Sequence, residues 1–220
     1  TLQSPSKKQI IQAQILFKEA KRKKRSKESI LNRIEFHKKK ISDIEHCELF
    51  LDSFTYEKVN YNKLDSIIEL KEEVEEYICI KKPNPKFKSK KRTEQLSKIK
   101  EIQSPNGVKI QIGGNNRQNE LISLKQGKKG DIWFHAQEIP GSHVVLKSSN
   151  GLIDDKDIQL AADLASFFSR AKGSKLIPVI MVPIENLQRI SGALPGTVRH
   201  RGGKVLWGKA ERAQKYFHQK

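Results

Sequence analysis

Between Pro5 and Pro83 the chain carries neither proline nor glycine. A run that long without a breaker commits the first third of the molecule to helix. A single helix cannot bury its own apolar stripe, so this feature also demands a packing partner. Ser4, Pro5 and Ser6 supply a helix start and predict one long helix over residues 6–54. Ile30, Ile34, His37, Ile41, Ile44, Glu48 and Leu51 recur at alternating steps of four and three, the spacing of a heptad seam. Ile10, Ala13, Phe17 and Ala20 form a shorter stripe upstream. Residues 62–80 predict a second amphipathic helix, with Leu64, Ile67, Ile68, Leu70, Val74 and Ile78 on its apolar side. It is expected to fold back across "TYEKVNYN" onto the C-terminal part of the first as a helical hairpin. It is too short to cover Ile10 to Ala20 as well. That cover is expected from sequence upstream of Thr1, with this chain as the C-terminal part of a longer protein.

The pattern then changes. "KKPNPKFKSKKR" at 81–92 places two prolines among seven basic residues and reads as a linker. From Lys98 the apolar rhythm has period two. "KIKEIQSPNGVKIQI" predicts two strands around Pro105-Asn106-Gly107, followed by a short helix over 119–126 capped by Asn119. "DIWFH" and "HVVLK" predict strands, "DDKDIQLAADLASFFSRAK" a helix with acids at its positive end, and "LIPVIMV" a buried strand. "TVRHRGGKVLWG" predicts a closing hairpin around Gly202-Gly203. The expected class is α+β. A helical-hairpin arm at 1–80 and a basic linker at 81–97 precede a mixed domain with an antiparallel-rich sheet at 98–209. A basic tail at 210–220 ends the chain.

Charge narrows the partner. The net charge is +18 over 220 residues, with only 36% hydrophobic residues, so a polyanion is the first candidate ligand. No run of eighteen apolar residues and no apolar leader opens the chain, which argues against a membrane role. Cys47 and Cys79 form neither a CxxC pair nor a disulfide framework and read as buried reduced thiols. The basic residues cluster. Lys18, Lys21, Arg22, Lys23, Lys24, Arg25 and Lys27 fall within ten residues, where Glu19 is the only acid. A solvated helix face ordinarily mixes signs at i and i+4. Lys86, Lys88, Lys90, Lys91 and Arg92 form a second patch in the linker, and Arg199, Arg201, Lys204, Lys209 and Arg212 a third. Such residues release counterions on meeting phosphates, so binding should fall steeply with salt. Phe87, Trp207, Tyr216 and Phe217 stand where they could stack on bases or pack inward.

"GDIWFHAQEIPGSHVVLKSS" at 130–149 gathers an aspartate, two histidines and a serine. A nucleophilic triad from Ser142, His135 or His143, and Asp131 lacks the strand–turn–helix elbow that a G-x-S-x-G serine occupies. A metal site from His135, His143, His200 and Asp131 has no ligand spacing behind it. "IGGNNRQN" at 112–119 reads equally as a phosphate cradle and as a tight turn into a helix. It is neither a dinucleotide fingerprint nor a Walker A loop.

"GGNNRQNELISL", "GDIWFHAQEIPGSHVVLKS", "AADLASFFSRAKGSKLIPV" and "LPGTVRH" together resemble the NFACT RNA-binding domain of the RqcH/NEMF family, whose bacterial members were once labelled fibronectin-binding protein A. "SPSKKQIIQAQILFKEAKRKKRS" resembles the return helix of that family's coiled-coil region. The resemblance implies a cytoplasmic, ribosome-associated protein without enzymatic activity, cofactor or metal. Its implied role is to rescue large ribosomal subunits obstructed by peptidyl-tRNA and to support alanyl-tRNA recruitment for C-terminal alanine tailing. The implied partners are rRNA of the large subunit, tRNA, and the upstream N-terminal half of the same protein as coiled-coil partner. By the same resemblance Asn115, Asn116, Arg117, Gln118, Asn119, Asp131, Trp133, His135, Pro140, Gly141, Ser142 and His143 are signature positions, many of them architectural. The family usually has arginine at the position of Gly114 and aspartate at that of Glu120, so the loop here has one cation fewer. The family's N-terminal half, with an Asp-Arg pair implicated in tRNA handling, is absent from these residues. A surface adhesin and a hydrolase using His135, His143 and Ser142 are the competing readings.

Overall fold

The computed structural model describes residues 6–53, 61–78, 98–148, 151, 153–191 and 193–218, with the backbone alone at 53, 61–63, 76–78 and 217–218. Cys79, Phe87, the linker cations Lys86, Lys88, Lys90, Lys91 and Arg92, and the Phe217 side chain lie outside what is described. The chain divides into two compact units, Thr1–Asp43 and Ile44–Lys220. The second unit thus begins within the first helix, not at residue 81 or 98.

Helix α1 (Lys7–Ser53) spans the breaker-free run, as its composition dictates. In the first unit its apolar residues, Ile10, Phe17, Ile30, Ile34 and Ile41 among them, are exposed. In the second unit α2 (Tyr61–Ile78) does fold back, but not onto the heptad seam. Cys47 and Phe50 pack with Leu70 and Val74, while Ile44 and Leu51 remain exposed. Phe50 offers more apolar area than the seam position Glu48, which explains the shift of the buried face. Cys47 is a buried free thiol.

Strands β1 (Lys100–Gln103), β2 (Lys109–Ile112), β3 (Ile132–Ala136), β4 (Val144–Leu146), β5 (Ile177–Pro183) and β8 (Lys204–Gly208) build one antiparallel sheet in the order β1-β2-β4-β3-β5-β8. A separate pair, β6 (Leu187–Arg189) and β7 (Val198–His200), forms a second small sheet. One face of the large sheet buries Ile110, Ile112, Phe134, Val144 and Leu146 against α4 (Asp155–Phe167). Asp154 caps α4 in a reciprocal capping box with Asp157, placing acids at its positive end. The opposite face buries Trp133, Val145, Ile180 and Val182 with Ile122, Ile184 and Leu187.

Three expectations are corrected. Residues 197–208 do not form a hairpin, because β7 pairs with β6 and β8 pairs with β5. Gly202 and Gly203, both at positive φ, carry the chain from one sheet to the other. A Cβ on Gly203 would lie 2.8 Å from Ile180 Cδ1, so the backbone itself presses onto the large sheet. The short helix α3 (Asn116–Glu120) starts earlier than residue 119 and is capped by Asn115, whose Oδ1 accepts from Gln118 N. A π-helical turn, Leu121–Lys125, continues it. The segment after residue 209 is no tail. It forms α5 (Ala210–His218), with Ala210 and Ala213 in the core beside α4. No helix among the described residues is long and apolar enough to cross a membrane.

Candidate nucleic-acid interface

The glycine-rich loop is explained by what meets it. Gly113 permits close approach, since a Cβ there would collide with Asn119 Oδ1. The following amides are already taken. Gly114 N donates to Gln118 Oε1 at 2.8 Å, and Asn116 N to Glu73 Oε2 at 3.3 Å. Asn115 Nδ2 donates to Glu69 Oε2 at 2.9 Å, and Arg117 lies 3.9 Å from Glu72. The anion at this turn is therefore the chain's own α2 carboxylate, which corrects the phosphate-cradle reading in favour of the tight turn.

The "IPGSH" segment belongs to the same seam. Ser142 N donates to Phe168 O at 2.9 Å and Arg170 N to Pro140 O at 2.9 Å, tying the loop to the end of α4. Gly141 N donates to His46 Nε2 at 3.2 Å, while His46 Nδ1 faces Asn116 Oδ1 at 3.4 Å. Accepting at Nε2 requires His46 to be neutral with its proton on Nδ1. Arg170 meets Glu45 at 2.7 Å alongside. His46, Glu69 and Glu73 thus dock the helices on residues 113–119 and 140–143. None of the three carries a local sequence signal, because their partners lie 43 to 95 residues away.

The histidine cluster surrounds Trp133. His135 stacks on its ring at 5.5 Å between centroids, and His143 meets it edge-on at 5.0 Å. His200 lies at 6.2 Å. Burial and the neighbouring His46 and His200 push His135 down to about 4, although its hydrogen bond to Gly141 O opposes the shift. Burial and His135 hold His143 well below its ordinary value, and burial lowers His46. Asp131 is not oriented toward this cluster. It is fully buried, 2.7 Å from Lys147 Nζ, and accepts from Lys128 N. Ser142 Oγ is buried without a hydrogen-bond partner among the described residues. The serine that does meet a histidine is Ser123, 2.7 Å from His143 Nδ1 and itself buried. With no base on Ser142 and no carboxylate on either histidine, the triad geometry is missing. The residues imagined as a metal site do not come together either. Among the described residues no group of three His, Cys, Asp or Glu is placed to hold a metal.

What remains outward-facing is basic. Lys18, Lys21, Arg22, Lys23, Lys24, Arg25 and Lys27 are all exposed on α1 in the first unit. In the second unit Arg199, Arg201 and Lys204 are exposed on and beside β7 and β8. Arg212 leaves that patch. Its guanidinium grips Asp163 through two bonds of 2.6 Å, anchoring α5 instead of meeting solvent anions.

Residues 98–202 match the family model described as the NFACT protein RNA binding domain. The chain is 37% identical over 134 residues to the Rqc2 homolog RqcH of Bacillus subtilis, covering 61% of this chain and 23% of that protein. It is 32% identical over 195 residues to the Rqc2 homolog RqcH of Streptococcus suis, covering 88% of this chain and 33% of the relative. The chain thus spans about a third or less of these relatives' length. The solved C-terminal part of the fibronectin/fibrinogen-binding protein from Streptococcus suis superposes with a TM-score of 0.71 at 34% identity, covering 92% of this chain and 78% of that one. The chain belongs to the RqcH family and carries its NFACT domain on the sheet that these seam residues hold to the helices.

Proposed function

We propose that this chain is an RNA- and large-subunit-binding portion of a ribosome quality-control factor. It engages large subunits obstructed by peptidyl-tRNA and supports alanyl-tRNA recruitment for C-terminal alanine tailing, as a cytoplasmic, ribosome-associated protein. The observation that carries this reading is how the polar residues are divided. Most of the signature side chains are buried within the fold, whereas seven clustered cations at 18–27 face solvent. Clustered cations displayed to solvent attract polyanions. The seam geometry likewise supports a role without catalysis. The linker cations Lys86, Lys88, Lys90, Lys91 and Arg92 are proposed as a second RNA contact. The exposed stripe of Ile10, Phe17, Ile30, Ile34 and Ile41 fits a coiled-coil partner helix from the upstream half of the same protein.

The test is binding to purified large subunits across a salt series. Lys21→Gln, Arg22→Gln, Lys24→Gln and Arg25→Gln together are expected to weaken binding at least ten-fold and to flatten the salt slope by up to about four cations. An unchanged slope would exclude this helix from the contact. The name of the Streptococcus suis structure favours one second reading, attachment to fibronectin. Saturable binding to immobilised fibronectin, insensitive to the four-cation variant and without affinity for RNA, would select it.

A further inference from the structure

Resting on the RNA-binding reading above, we propose that the open end of the large sheet at β5 and β8 is a stacking platform for unpaired nucleotides. Trp207 is the base-stacking residue, and Arg199 and Arg201 take the flanking phosphates.

Register decides which side chains share this face. Trp207 lies opposite Pro178, Val205 opposite Ile180, and Ile180 opposite His135. Directly opposed residues of an antiparallel pair project to the same side, so Trp207, Val205, Pro178, Ile180 and His135 form one surface. It continues into the buried row of Val182 and Trp133, which are paired in the next register position. The small sheet covers that inner row together with Ile180. Leu187 of β6 packs there with Val182 and Trp133, and Val198 of β7 packs against the same cluster. Ile180 is buried and Pro178 half-buried, while the two β8 side chains on this face are open. Trp207 is 58% exposed, Val205 46%, and Leu176, which leads into β5, 45%. The edge is nevertheless held in place, since Gln159 Nε2 of α4 donates to Trp207 O.

An indole lying open on a rigid sheet has two plausible uses, stacking or protein docking. Charge favours the first. The cations come from the segment that leads into β8, where Arg199 and Arg201 are exposed on either side of His200. His200 Nδ1 is fixed at 2.9 Å from Gly202 O, and Arg201 N donates to Asn186 O. The backbone of this arginine pair is therefore pinned while the guanidiniums stay free of ion pairs to described residues. Single strands are bound by exposed aromatic rings and guanidiniums in combination, because every base offers a π-face and every nucleotide a phosphate. Duplex RNA hides its base faces within the helix, so the platform should discriminate against it.

The experiment compares the full chain with Trp207→Ala and Trp207→Phe, titrating with single-stranded oligouridylate and with duplex RNA of equal length. Circular dichroism confirms that each variant is folded. Single-strand binding should quench tryptophan fluorescence in the parent chain. It should weaken about ten-fold in Trp207→Ala and recover most of its affinity in Trp207→Phe, the size of effect one base–aromatic stack gives. Duplex affinity should be unchanged in both. Equal single-strand affinity in all three proteins would overturn the platform while leaving the RNA-binding reading intact. Failure of the parent chain to bind either RNA at low salt would remove that reading, and the platform with it.

Discussion

His135, His143 and Ser142 lie close in sequence, yet the fold does not assemble them into a triad. The histidines sit against Trp133 with their charged forms disfavoured, His135 at about 4 and His143 well below its ordinary value, both chiefly through burial. Their folded values lie below the unfolded one, so the unfolded state binds more protons under acid. The stability they contribute is fully present above about pH 6.5 and is lost as pH falls from there toward 4. Each histidine so placed adds a slope of up to about 1.4 kcal/mol per pH unit in that window. Chemical denaturation between pH 7 and 4.5 should show this loss, and His135→Gln should make the profile shallower. A profile identical to the parent's would mean that His135 titrates normally in the folded protein. Little of this was legible beforehand. The side chain of the nearest serine in sequence, Ser142, has no hydrogen-bond partner among the described residues. The serine that meets His143 came from the π-helical turn at Leu121–Lys125.

At the scale of elements, local rules served where the partner was also local. The proline- and glycine-free run marked out α1, and period-two alternation marked β1, β2 and β3. The acid-rich start of α4 matched its capping box. The rules failed where pairing was distant. Gly202-Gly203 correctly signalled a turn, yet β8 found its partner in β5 and β7 in β6. Three asparagines within Asn115–Asn119 are each chemically able to cap a helix, and it is Asn115, held at its Nδ2 by Glu69, that does so. The docking of α2 gives the sharpest consequence. Glu73 is 2% exposed and accepts from the α3 amide of Asn116, whereas Glu75 two residues on is exposed. Glu73→Ala should cost about 1–3 kcal/mol in a urea unfolding experiment, because it leaves a buried amide unpaired. Glu75→Ala should cost within about 0.5 kcal/mol. Equal effects of the two would mean that the seam at Asn116 contributes nothing to holding the helix.

For the whole molecule, the account turns on a separation of labour. Asn115, Asn116 and Gly141 join the helices of the second unit to the sheet domain, and clustered basic residues face outward in both units. The first of these was invisible to sequence periodicity and entered only through family resemblance. The second followed from charge counting, apart from Arg212, whose ion pair with Asp163 no composition argument reveals. The most direct test of the account is sedimentation of the full chain with purified large subunits, with and without bound peptidyl-tRNA, at matched salt. Tighter association with obstructed subunits, abolished by the substitutions at Lys21, Arg22, Lys24 and Arg25, is the predicted result. No association with either kind of subunit at low salt would contradict it.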